Sequence, residues 1–270
     1  MSKIYEALQR VEQGQDIPRT RAPENNFDDH NLKTFSSDRL VVLTRPGSVA
    51  AEQFRFLRSQ IIRPQDGVSP KTILITSSLQ GEGKTFTSCN LAATIALGLD
   101  EYVLLVDADL RNPMVHNVFG LERPEKGLST YLEHNEPLNK LLRKTAINKL
   151  SLLPAGQETE NPAELLSSRR MQSLIKEVGD RYPDRLVIFD SPPINLAPES
   201  LSLANEVDAV FLLVQRGKTS RWVAKSTIER LQKEKLKGVI FNQDPKIASI
   251  KNYSYGYGYG YSYGKDKGKS

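Results

Sequence analysis

The segment Ser78-Leu79-Gln80-Gly81-Glu82-Gly83-Lys84-Thr85 has the spacing of a phosphate-binding loop, with Ser78 where the first glycine usually stands. Glycines let consecutive backbone N–H groups wrap phosphate oxygens, and a helix starting there adds its positive end. Gly81, Glu82, Gly83, Lys84, Thr85 and Phe86 are the expected nucleotide contacts. Lys84 would reach the β- and γ-phosphates, and the Thr85 hydroxyl would face Mg²⁺. Two apolar runs end in carboxylates. Residues 103–106 lead into Asp107 and Asp109, and residues 186–189 lead into Asp190. Ligands of open α/β sheets bind beyond the carboxyl ends of strands, so these aspartates are expected to converge on the loop.

That set suits phosphoryl transfer, which is mostly positioning and charge neutralisation. Lys84, Asp107, Asp109 and Asp190 are the candidate catalytic residues, with ATP as the donor. A metal would be held by Thr85, Asp109 and Asp190, partly through water. A phenol titrates near about 10 and gains from a carboxylate that takes or orients its proton. Asp107 is the candidate for that role, although the sequence leaves the division among the three aspartates open. Phenols are abundant at the far end of the chain. Six of its ten tyrosines, Tyr253, Tyr255, Tyr257, Tyr259, Tyr261 and Tyr263, alternate with Gly or Ser, and a lysine-rich end follows.

The elements that must position these groups follow a regular pattern. Apolar runs at 72–76, 102–106, 150–153, 186–189, 209–214 and 238–241 read as strands. Helices are expected at 48–62, 84–97, 113–119, 127–132, 137–143, 161–166, 169–178 and 220–234, and residues 41–43 as a short edge strand. Strands alternating with helices imply an α/β fold, a mostly parallel sheet covered on both faces. The organisation expected is an amphipathic helix and polar linker over 1–38, one domain over 39–245, and a flexible tyrosine-rich tail over 246–270. Ile4, Ala7, Leu8 and Val11 carry the helical spacing near the start.

Composition narrows the partners. A net charge of +5 and a pI near 9.1 suit anionic ligands but are too modest to argue for nucleic acid. Cys89 is the only cysteine, which excludes an intrachain disulfide and fits a cytoplasmic chain. His30, His116 and His134 lack ligand spacing and read as surface residues. The longest largely apolar stretch, 91–99, is too short to span a bilayer.

The three motifs in this order resemble the bacterial protein-tyrosine kinases, whose P-loop NTPase-like fold pairs Walker A with an Asp-x-Asp-x-Arg element and a Walker B strand. Asp107-Ala108-Asp109-Leu110-Arg111 matches the second element, and Ser78 is at home in the family's loop. Residues 153–156 and 161–166 are similar to its connecting segments. Glu52, Arg55 and Arg58 match its Glu-x-x-Arg-x-x-Arg oligomerisation motif and fall on one sector of a helix about 120° wide. The resemblance implies a ring of identical subunits in which one tail enters the neighbour's site. It also implies a separate membrane-embedded activator related to polysaccharide chain-length regulators, a place at the inner face of the membrane, and a role in capsule or exopolysaccharide production. Asn242 would lie near the adenine. A deviant-Walker ATPase of the division-site or partition type is the competing expectation. It lacks such a tail and carries a lysine where Leu79 stands. An ATP-gated scaffold is the third.

Overall fold

Thr72–Ser77 is an apolar run without polar alternation, the mark of a strand buried on both faces. It is an inner strand of the sheet in a computed structural model that describes residues 38–180 and 185–244. The expected helix at 2–13, nearly all of the linker, His30 and the six tail tyrosines lie outside the described residues.

In chain order the elements are α1 (Val41–Thr44), α2 (Val49–Ile62), β1 (Thr72–Ser77), α3 (Lys84–Ala96) and β2 (Tyr102–Asp107). Then come α4 (Val115–Val118), α5 (Leu128–His134), α6 (Leu138–Leu141), β3 (Arg143–Lys144) and β4 (Leu150–Leu153). The chain continues with α7 (Pro162–Leu166), α8 (Arg169–Asp180), β5 (Arg185–Asp190), α9 (Pro198–Glu206), β6 (Ala209–Gln215), α10 (Arg221–Arg230) and β7 (Leu236–Asn242). The seven strands lie in the order β3-β4-β2-β5-β1-β6-β7. Every pairing is parallel except β3 with β4.

The period of two in a strand divides its side chains between two cores. Leu74, Leu104, Val106, Val187 and Phe189 join α5, α7, α8 and α9 on one face. Ile73, Ile75, Val103, Leu105 and Ile188 join α1, α2 and α3 on the other. Helix α3 is almost wholly buried, so the helix that carries Lys84 is clamped between sheet and α2.

Residues 41–43 form a helical turn instead of the expected edge strand. The Leu40 carbonyl accepts from the N–H groups of Leu43 and Thr44, both at 3.0 Å. Asn90 of α3 donates to the Arg39 carbonyl at 2.7 Å and accepts from Val42 N–H at 3.3 Å, giving the turn partners that a sheet edge would otherwise supply. Helix α9 and strand β3 were not expected. His116 is buried in α4 instead of lying on the surface, and burial, then nearby Arg123, lowers its pKa. His134 is exposed, as expected. Among the described residues β7 ends the sheet opposite β3, and its Val239 and Phe241 are about half exposed.

Candidate nucleotide and phosphoryl-transfer site

Parallel register brings the motif residues together. Asp107 pairs with Asp190 across β2 and β5, and Ile75 of β1 pairs with Asp190 on its other side. All three strands end at the loop 78–83. Gly81 and Gly83 have φ of +74° and +96°, a region that favours glycine. At Gly83 a Cβ would also fall 2.3 Å from Asn242 Nδ2. Lys84 opens α3 nearly buried. Thr85 Oγ1 donates to Asp190 Oδ2 at 2.7 Å, and Ser88 Oγ donates to Asp190 Oδ1 at 2.9 Å.

The aspartates differ in surroundings. Asp107 is buried, with Oδ1 accepting from Asp109 N–H at 3.3 Å and Oδ2 from Val115 N–H at 3.1 Å. Asp109 is half-buried and accepts from Asn112 N–H at 3.0 Å. Burial, then the charge of Asp190, pushes the Asp107 carboxyl well above the usual range. Burial also raises Asp109. Asp190 is pushed up to about 6 by burial, against the hydrogen bond from Thr85 and the charge of Lys84. Lys84 is lowered by burial, opposed by Asp190, Asp109 and Glu82 and reinforced by Lys218. Several carboxylates crowded around one buried ammonium are poised for additional positive charge.

The other expected residues are placed as follows. The Glu82 side chain is buried and turned away from a ligand: it accepts from Leu79 N–H at 2.7 Å and from the Thr219 hydroxyl. Phe86 packs its ring on Phe54 of α2 at 5.8 Å, in the core, so its side chain is not part of the loop's concave face. Asn242 lies against the loop, with Nδ2 donating to the Glu82 carbonyl at 2.8 Å and Oδ1 accepting from Gln243 N–H at 2.9 Å. Glu52, Arg55 and Arg58 stand on the outer side of α2. Arg55 pairs with Glu52 and donates to the Pro46 carbonyl at 2.8 Å, and Arg58 reaches Glu101 at 3.4 Å.

Four contributors lie outside the sequence motifs: Glu199, Lys218, Thr219 and Ser88. Arg111 is half exposed and its Nε donates to the buried Glu199 at 2.6 Å, tying the Asp-x-Asp-x-Arg loop to the start of α9. Lys218 and Thr219, in the β6–α10 loop, reach the P-loop backbone and Glu82. Ser88 was overlooked too, although its place one helical turn after Lys84 was a usable signal.

A family model described as an AAA domain matches residues 70–235. The tyrosine-protein kinase YwqD of Bacillus subtilis strain 168 is 37% identical over 218 residues, covering 80% of this chain and 90% of that protein. This chain belongs to the bacterial tyrosine-protein kinases. Another kinase of that name, etk of Escherichia coli strain K12, is 33% identical over 240 residues, but the match spans 32% of its length. The solved kinase domain of Escherichia coli ETK superposes with a TM-score of 0.70 at 30% identity, covering 90% of this chain and 89% of the domain. The cell division ATPase MinD of Pyrococcus furiosus, at a TM-score of 0.53 and 23% identity, shares the fold alone. The tyrosine kinase reading therefore stands over the division-site ATPase. The kinase's P-loop is a nucleotide site, and among the described residues no helix is long and apolar enough to cross a membrane.

Proposed function

We propose that this tyrosine kinase is an autokinase that transfers the γ-phosphate of ATP to Tyr253, Tyr255, Tyr257, Tyr259, Tyr261 and Tyr263 of a neighbouring copy. The observation that carries this reading is the pairing of Asp107 with Asp190 at the mouth of the P-loop. It leaves two carboxylates beside the backbone of the loop, which supports the proposed proton and metal roles.

Mg²⁺ is part of the proposal. Among the described residues, no three His, Cys, Asp or Glu side chains form a metal cage. Mg²⁺ commonly takes one or two carboxylates and completes its shell with water and substrate phosphates. The hard oxygens of Thr85 and Asp190, 2.7 Å apart, with Asp109 nearby, fit that need. When bound, the ion would neutralise charge on the β- and γ-phosphates. Lys84, at the start of α3, would reach the same phosphates. Asp107 receives the phenolic proton. Its burial raises its proton affinity, and each of its oxygens keeps a lone pair beyond the N–H bond it accepts. Glu52, Arg55 and Arg58 contact the next subunit of a ring. A separate membrane-embedded activator related to polysaccharide chain-length regulators holds the kinase at the inner face of the membrane. The process served is capsule or exopolysaccharide production.

The test is incubation of the full chain with ATP and Mg²⁺, with and without a candidate activator's cytoplasmic segment, followed by phosphotyrosine mapping. Label confined to residues 253–263 is expected. Lys84→Met should abolish it, and undiminished labelling in that variant would refute the site. For transfer between copies, a Lys84→Met full chain is mixed with an active chain lacking residues 246–270. The inactive chain should become labelled; its staying unlabelled would refute transfer in trans.

A further inference from the structure

The P-loop is held from outside by side chains that its motif does not include. Lys218 Nζ donates to the Gln80 carbonyl at 2.6 Å, and Asn242 Nδ2 donates to the Glu82 carbonyl at 2.8 Å. A Cβ built on Gly81 would lie 2.9 Å from the Lys218 ammonium, so the two are packed together. A trans peptide is planar, with its C=O and N–H pointing in opposite directions. A donor that fixes the Gln80 carbonyl therefore fixes the Gly81 N–H on the other side of that peptide plane. The bond to Glu82 does the same for the Gly83 N–H. The N–H groups of Gly81, Glu82 and Gly83 make no backbone hydrogen bond among the described residues. These are the donors that a phosphate chain requires. Glycine's conformational freedom leaves such peptides free to flip unless something outside restrains them.

We propose that Lys218 is a positioning residue of the nucleotide site, orienting and polarising the Gln80–Gly81 peptide so that its N–H is presented to phosphate. The loop that carries it is cross-braced by hydrogen bonds. Gly217 turns the chain at φ +75°, and the N–H groups of Lys218 and Thr219 both donate to the Gln215 carbonyl, at 3.2 and 3.0 Å. Gln215 N–H donates to Thr219 Oγ1 at 2.9 Å, and that hydroxyl donates to Glu82, whose carboxylate also takes Leu79 N–H. The loop between β6 and α10 thus grips the P-loop at two points. The ammonium matters as well as the donor. A charged partner strengthens the hydrogen bond and polarises the amide behind it. Its field extends into the pocket, because Lys218 is among the charges that lower Lys84. Preorganised donors bind an anion without an ordering cost at the moment of binding.

Binding to the full chain, measured with a fluorescent ADP and by ATP competition, tests this without any acceptor tyrosine. Failure here is therefore separable from failure of the autokinase reading. Lys218→Ala should weaken ADP and ATP by the same factor, about 3- to 10-fold. The loss should fall on KM for ATP more than on kcat. Lys218→Arg should restore affinity to within about 2-fold, and Lys218→Gln, a neutral donor, should fall between. The melting temperature without nucleotide should match the parent in all three variants. Unchanged affinity in Lys218→Ala would overturn the assignment, as would an Arg variant as weak as Ala. A loss for ATP alone would also overturn it, since that outcome means direct contact with the γ-phosphate. Melting temperatures that fall together in the Ala and Arg variants would reduce Lys218 to a structural support.

Discussion

Asp190 lies beneath Thr85 and Ser88, buried, with its carboxyl pushed up to about 6. An unfolded aspartate titrates near about 3.9, so the fold binds this proton more tightly than the unfolded chain does. The sign follows: the contribution to stability is full below about pH 4 and is lost as the pH rises through 6. The nucleotide-free Asp190→Asn variant should therefore gain unfolding free energy over the parent above pH 6, of order a few kcal/mol and visible as a higher melting temperature, and little near pH 4. A difference that does not vary with pH would refute this. Catalysis is expected to move oppositely. Asp190→Asn and Asp107→Asn should each lower kcat for tail labelling by roughly 10²-fold or more, read in single-turnover assays. The motif residues were legible because each sits where a strand ends and a loop begins, a place sequence marks directly. Lys218, Thr219 and Glu199 were not, because what makes them matter is register between strands far apart in the chain. Glu82 was half legible: its backbone belongs to the loop, while its side chain serves as the anchor for Thr219.

The central strands could be read from composition, because β1, β2, β5 and β6 are apolar on both faces and such runs have few alternatives at that length. Residues 41–43 could not, since three apolar residues carry no period. Asn90, 48 positions from Val42, decided for a helical turn. β3 has two residues and no signal at all, and α9 mixes its few apolar positions with polar ones. Gly127 shows how tightly loops and strands are joined. A Cβ there would fall 2.1 Å from the Pro154 carbonyl oxygen and 2.5 Å from Gly156 N, both backbone atoms that cannot step aside. Gly127→Ala should destabilise the domain by about 1–3 kcal/mol, visible as a lower midpoint in urea or thermal unfolding. An unchanged midpoint would mean that the loop after β4 yields more easily than its contacts imply.

At the scale of the whole molecule, the outer side of α2 and the tyrosine-rich tail are the parts that sequence described and the domain core does not explain. Glu52 and Arg55 are exposed and paired with each other, which leaves a surface charge pattern cheap to break and re-form with another chain. If the proposed ring forms through α2, replacing Arg55 and Arg58 together by Glu should reduce its mass in light scattering and lower tail labelling, with nucleotide affinity retained. An unaltered mass would remove α2 from the interface. Full phosphorylation of six tyrosines adds about −9 to −12 charges, several times the four lysines at and beyond position 251, and is expected to loosen the assembly. Under the proposed transfer in trans, the bond from Asn242 to the P-loop sets the starting point of the acceptor segment beside the donor site, as the post of a graduated tether. Tyr253 is eleven residues beyond Asn242 and Tyr263 is twenty-one. At full extension those lengths set outer radii of about 40 Å and about 75 Å. A neighbouring pocket inside the smaller radius is open to all six phenols. One between the two radii would admit only the distal ones, so the pattern of modified tyrosines would measure the spacing between subunits of the proposed ring.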